Sequence, residues 1–281
     1  MSGALRAGRA RAPEAVHGEW IAIRDALRAE WTKLRTVPGT VWRLAATIVL
    51  TIGLSTLAVD ATQCRPGIAA CSVDTTRLSL TGIEFGQVVV AIMAVVMISG
   101  EYSTGMIRTT LTAMPHRVTV LAAKALVLTG PVLAAGAIAV LGSVLAGRLI
   151  LPTHGFTAAH GFTPLSLGDG AVLRASVGSV LYLALVPLLS LGIATILRDS
   201  AAATGTVLGL LYLFPIVANL VDPQWDRRLE QIGPMTAGLA IQATTDLQGL
   251  PISPWAGLGV LATWAAAALL AGGLLVRYRD A

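Results

Sequence analysis

The chain has 281 residues, of which 55% are hydrophobic and 12% charged, with a mean hydropathy of +0.74. Soluble domains carry about 25% charged residues, so this composition excludes an ordinary soluble enzyme, a disordered tail and a disulfide-stapled secreted domain. Its 18 Arg and 2 Lys outweigh 15 acids, but most of the charge falls between apolar runs, a distribution that suits a bilayer and not nucleic acid.

Residues 1–17 are rich in Arg, Ala and Gly without a hydrophobic period and read as a disordered lead. Residues 18–37 read as an amphipathic helix. Trp20, Ile23, Leu27, Trp31 and Leu34 recur every three or four positions and line one face, while Arg24, Asp25, Arg28, Lys33 and Arg35 take the others. Pro38-Gly39 ends it. A basic helix with tryptophans on its apolar side lies in a membrane interface; the alternative is a helix packed on a soluble partner.

A bilayer span takes about 20 mostly apolar residues. Six stretches qualify: 41–59, 82–100, 125–147, 175–197, 201–221 and 254–276. Together they form a six-span domain over 41–276, with 277–281 as a short tail. The second is the weakest, because Glu84 and Gln87 fall in its first turns. Placing the N-terminus inside puts fourteen of the twenty Arg and Lys on inner segments and six on outer ones, the bias that orients membrane bundles. Both termini are then cytoplasmic. The first span begins after some forty residues and is too long for the core of a cleavable signal peptide.

The first outer loop carries Cys64 and Cys71 around Pro66-Gly67. An oxidising outer face would allow them to close a small bridge; two idle thiols are the alternative. Two cysteines exclude a larger disulfide or metal framework. The inner segment Glu101–Arg117 places Ile107, Leu111 and Met114 at helical spacing before Pro115. This predicts a short amphipathic helix across the bilayer floor, with Arg108 and Arg117 able to reach acidic groups on a soluble partner. Glu101, where span two ends, is placed to form a semi-exposed pair with a base of the N-terminal helix, Arg28 or Lys33.

His154 and His160 lie six apart with no third ligand, so no metal site is expected. Arg198-Asp199-Ser200 makes spans four and five a tight hairpin. Residues 222–253 hold Trp225, Ile232, Leu239, Ile241, Leu247 and Leu250 among three prolines. That is too apolar for a free loop, and short helices dipping back among the spans would bury those groups. Pro131, Pro187 and Pro215 fall inside spans and favour kinks.

No Gly-Lys dipeptide occurs, so the phosphate loop of P-loop ATPases is absent. Neither H-E-x-x-H nor G-x-S-x-G is present, and no span contains a His, which leaves an intramembrane hydrolase without its base. Arg43, Glu84 and Lys124 all lie near span ends rather than at mid-membrane, which disfavours an ion-coupled carrier. What remains is a bundle that moves something with energy supplied elsewhere, or a membrane scaffold.

Four stretches of the sequence carry a family likeness: Leu27 to Thr36 before the first span, Gly100 to Arg117 after the second, Arg198 to Gly205 at the hairpin, and Pro254-Trp255 with Arg277-Tyr278-Arg279-Asp280-Ala281. Together they resemble the permease subunits of bacterial ABC exporters of the type-two class, especially the actinobacterial branch. The Glu101–Arg117 segment follows that family's acidic, Gly-Thr-Leu, Pro and Arg pattern, with its Gly and Leu spread wider than in the commonest form. The resemblance implies an all-α integral membrane fold of six transmembrane helices with re-entrant helices between spans five and six. It implies a connecting helix carrying Trp20, Leu27, Arg28, Glu30, Trp31, Lys33, Leu34 and Arg35. It also implies a cytoplasmic coupling helix carrying Glu101, Thr104, Gly105, Arg108, Thr109, Leu111, Pro115 and Arg117. The partners it implies are a second permease copy, identical or related, and two copies of a cytoplasmic ATPase. The latter would hold ATP and Mg, with no cofactor and no catalytic residue in this chain. The location implied is the bacterial cytoplasmic membrane.

Overall fold

The computed structural model describes residues 11–36, 38–64, 73–105, 117–218, 220 and 223–279. Ten α-helices are seen there and no strand: α1 (Arg11–Thr36), α2 (Pro38–Asp60), α3 (Thr75–Ser79), α4 (Ile83–Ser103), α5 (Arg117–Ile150), α6 (Gly170–Leu197), α7 (Ser200–Ala218), α8 (Pro223–Ile232), α9 (Pro234–Leu239) and α10 (Pro254–Arg279). Six are long and apolar enough to cross a membrane: α2, α4, α5, α6, α7 and α10. The second, weakest by composition, is among them. This is the build of an all-α, multi-pass membrane protein.

Two boundaries differ from the sequence reading. The first helix starts at Arg11 rather than at residue 18, so residues 11–17, expected as a disordered lead, are helical. Pro13 falls in the first turn, where its missing N–H costs nothing, and the neighbouring Arg, Ala and Glu are good helix formers. The fifth span was expected to reach residue 221; the described helix α7 runs to Ala218, and Leu220 stands in a turn, its N–H donating to the Val217 carbonyl at 2.9 Å. By contrast α5 runs for 34 residues, about 50 Å at 1.5 Å per residue. It therefore outreaches a hydrocarbon core of roughly 30 Å. The helices α5, α6 and α7 continue through Pro131, Pro187 and Pro215.

The centre of the bundle is α6, which packs on α10, α4, α5 and α7. It is apolar all round, as an enclosed helix should be, and three of its buried hydroxyls donate to their own helix. Ser176 bonds the carbonyl of Val172 (2.8 Å), Ser190 that of Val186 (2.8 Å) and Thr195 that of Leu191 (2.7 Å). These bonds satisfy polar atoms that lipid could not. Around α6, side chains such as Val49, Leu57, Leu126, Ile138, Leu145, Leu213, Ile216 and Leu270 are exposed. A bilayer would cover them. Gly82, at the start of α4, lets the chains approach closely: a Cβ there would lie 2.0 Å from the carbonyl oxygen of Thr51, and its N–H donates to Ser55 Oγ at 3.0 Å.

At the end of the bundle holding the first loop, Cys64 is buried and disulfide-bonded. The chain's other cysteine, Cys71, lies outside the described residues. Cys64 N–H donates to the carbonyl of His154 (2.9 Å). The next residue, Gly155, sits at φ 91°, where a Cβ would meet the Cys64 carbonyl oxygen at 2.4 Å. His154 and His160 turn to the carbonyls of Ile150 and Gly155, not to each other. Across the bundle, α8 and α9 followed by a turn at Ala240–Gln242 occupy the stretch judged too apolar for a free loop. Pro234, Met235, Ala237, Gly238 and Leu239 of α9 are buried, packed mainly on α10 and α7.

Candidate functional site: a buried ionic cluster joining α1, α4 and α5

Along the described part of α1 the inward side chains are Ala26, Glu30 and Leu34, spaced four apart, with Lys33 half-buried beside them. The face expected to be apolar is thus rotated. Trp31 is 45% exposed, Leu27 is half-buried, and Arg28 and Arg35 face outward. This leaves Trp31 and the arginines together on the side away from the bundle and turns an acid inward. The side chain of Trp20 lies outside the described residues.

Glu30 points inward because a base on α5 meets it. Lys124, 1% exposed, donates to Glu30 Oε2 at 2.7 Å and to Glu101 Oε1 at 2.7 Å. Lys33 completes the group, 2.9 Å from Glu101 and 3.1 Å from Glu30. Two ammonium groups and two carboxylates therefore neutralise one another at the junction of three helices, and Glu30 and Glu101 are 3% and 6% exposed. Desolvation alone would depress the Lys33 pKa, but hydrogen bonding and attraction from Glu101 and Glu30 outweigh it and hold it above the ordinary lysine value.

Of the two bases suggested for Glu101, Lys33 is the partner and Arg28 is not. The pair is also more buried than the semi-exposed contact expected, because Lys124 closes it from beneath. Lys124, read from the sequence only as a base near a span end, is the most enclosed member. A signal for it exists: the chain has only two lysines among twenty strong bases, and both are here. A compact ammonium with three donors fits between two carboxylates where a planar guanidinium would not.

Of the residues assigned to the coupling helix, Glu101 belongs to this cluster, and Thr104 and Gly105 follow it as an exposed turn, with Gly105 at φ 70°. Arg108, Thr109, Leu111 and Pro115 lie outside the described residues. Arg117 begins α5, its side chain undescribed. A second tie braces the same end: the Arg198 guanidinium sits 5.2 Å from the Tyr102 ring centroid, a cation–π contact linking the α6–α7 hairpin to the last turn of α4. Arg198 ends α6 at φ 60°, and Asp199 caps α7 by accepting from Ala202 N–H at 2.7 Å.

A cavity of about 220 Å³ opens beside the cluster, bounded by α1, α2, α4 and α5. Its lining includes Thr40, Arg43, Met93, Val96, Met97 and Leu128 besides the ionic residues.

Two polar arrangements at the other end were not foreseen. Gln87 is fully buried: its Oε1 accepts from Tyr182 Oη, and its Nε2 lies 3.0 Å from Tyr212 Oη and 3.3 Å from Met235 Sδ. Tyr212 in turn donates to the Glu84 carbonyl. The residue that weakened the second span thus knits α4 to α6, α7 and α9. Asp74 caps α3 through Thr76 and Arg77 N–H (3.0 and 3.1 Å) and also accepts from Thr244 and Thr245 N–H and from the Thr244 hydroxyl (2.7 Å). Burial would raise its pKa, yet these hydrogen bonds prevail and hold it below the usual aspartate value. No protein-family model matches this chain, and no curated protein matches it either.

Proposed function

We propose that this chain is the membrane-spanning subunit of an ATP-driven exporter in a bacterial cytoplasmic membrane, with both termini inside. Two such bundles form the export path, driven by two copies of a separate ATPase that holds ATP and Mg. The observation that carries the reading is the cluster of Glu30, Lys33, Glu101 and Lys124. It ties an amphipathic helix to the two spans that flank residues 106–116, the segment assigned to coupling. A push on that segment reaches α4 and α5 together, because Glu101 and Lys124 are bonded across them. It also reaches α1, through Glu30 and Lys33. The flanking helices then tilt as one body instead of separating.

The ionic pairs supply alignment more than net stability, since buried ion pairs roughly break even against apolar packing. The α9 segment supports the same reading: its buried, proline-started turn packed on α7 and α10 suits a re-entrant helix between spans five and six. The test is affinity purification of the chain from its native membrane in mild detergent. A protein with Walker motifs should co-purify in about equal amount, and its ATP hydrolysis should depend on this chain. Recovery of an intact chain with no ATP-binding protein favours a membrane scaffold and overturns the proposal.

A further inference from the structure

The cavity beside the ionic cluster has a charge that the cluster does not balance. Its lining holds three cations, Lys33, Arg43 and Lys124, against two carboxylates, Glu30 and Glu101. The four clustered groups neutralise one another, and among the described residues the Arg43 guanidinium has no ion-pair or hydrogen-bond partner. Thr40, one turn earlier, is 8% exposed and lines the same cavity, with no partner for its hydroxyl among the described residues.

Both residues stand in the first turns of α2, a helix of 23 residues that begins at Pro38. First-turn amides have no partner within a helix and attract anions. Arg43 adds a planar fork that matches phosphate oxygens, and its guanidinium folds back beside Gly39, where a Cβ would lie in ordinary contact, 3.4 Å from Nη2. The remaining wall is apolar, made by Leu34, Met93, Val96, Met97 and Leu128. Beside it on α2, Val41 and Trp42 are exposed, at 62% and 76%.

We infer that this cavity seats one anionic phospholipid of the inner leaflet, its phosphate on Thr40, Arg43 and the α2 N-terminus and the start of an acyl chain along Met93, Met97 and Leu128. Charge complementarity selects an anionic headgroup, because a zwitterionic lipid leaves the surplus positive charge uncompensated. The inner-leaflet placement rests on the orientation proposed above. Bound there, the lipid lies against α1, α2, α4 and α5 and wedges the ionic cluster in place.

The test uses the full chain in detergent and native mass spectrometry with phosphatidylglycerol, phosphatidylcholine or inorganic phosphate. Phosphatidylglycerol should bind at one site, more tightly than phosphatidylcholine, and inorganic phosphate should not displace it. Arg43→Gln should weaken it at least about tenfold, the loss expected for charge-assisted hydrogen bonds, and Thr40→Val should weaken it less. If Arg43→Gln fails to fold, Thr40→Val and the comparison of lipids on the parent chain decide. Equal binding of the two lipids would make the cavity an apolar groove only. Displacement by phosphate would make it a free-anion site, and unchanged binding by both variants would remove the assigned contacts; each result overturns the inference. No ATPase is needed, so a failure here leaves the exporter reading standing, and the reverse also holds.

Discussion

Replacing Lys124 by Met removes one ammonium from the cluster and nearly preserves side-chain volume. It breaks both 2.7 Å pairs and leaves Glu30 and Glu101, 3% and 6% exposed, sharing Lys33 alone. Breaking one side of a buried ion pair costs about 3–5 kcal/mol. Here Lys33 still lies 2.9 and 3.1 Å from the two acids, so the lower end, about 3 kcal/mol, is expected. The double variant Lys124→Met with Glu30→Gln restores neutrality, because Lys33 then faces a single carboxylate. It should recover at least half of the loss, as interacting groups depart from additivity by about 0.5–3 kcal/mol. Lys124→Arg keeps the charge but should still destabilise, since a larger planar group must enter a site with 1% exposure. Unfolding of the purified chain in mixed micelles, followed by circular dichroism, measures all three. A single variant as stable as the parent, or a double variant no better than the single, would refute a buried, charge-balanced cluster.

Three further outcomes are expected. Gln87→Leu strands the fully buried Tyr182 hydroxyl and should cost about 1–3 kcal/mol in the same assay, while adding Tyr182→Phe should return part of that loss. Because the folded Asp74 pKa is lowered, its contribution is present above the ordinary aspartate range and lost as pH falls through the folded value; unfolding compared at pH 6 and pH 3 should show a drop that Asp74→Asn makes smaller, the remainder coming from protonation of the paired Glu30 and Glu101. Thiol labelling of the unreduced chain should miss Cys64 and capture it after reduction. Reduction should also cost roughly 2–3 kcal/mol, the loop-closure value for a short bridge.

The spans were legible because twenty apolar residues in a row have few other uses, and the apolar stretch between spans five and six announced the burial of Leu239 and Ile241, whereas Ile232 and Leu247, expected to be buried with them, are exposed. The cluster was half legible. Glu101 and Lys33 could be matched because both lie at predicted helix ends on one side of the membrane. Glu30 and Lys124 could not, because their pairing spans 94 positions and depends on how α1 is rotated against α5. A lysine seven residues into a helix resembles one that snorkels to the interface, and an acid on an amphipathic helix resembles a solvated face. The scarcity of lysine was the one available clue. Gln87 looked like a blemish in a span for a related reason: its partners Tyr182, Tyr212 and Met235 come from three other helices.

The exporter reading depends most on what touches the segment after Glu101. The most direct measurement places a photo-crosslinking amino acid at position 108 of the full chain and irradiates the native membrane. An adduct with a Walker-motif protein on the cytoplasmic side is expected, its yield changing with added nucleotide. Adducts with lipid alone, or labelling of position 108 from the outer face, would contradict it.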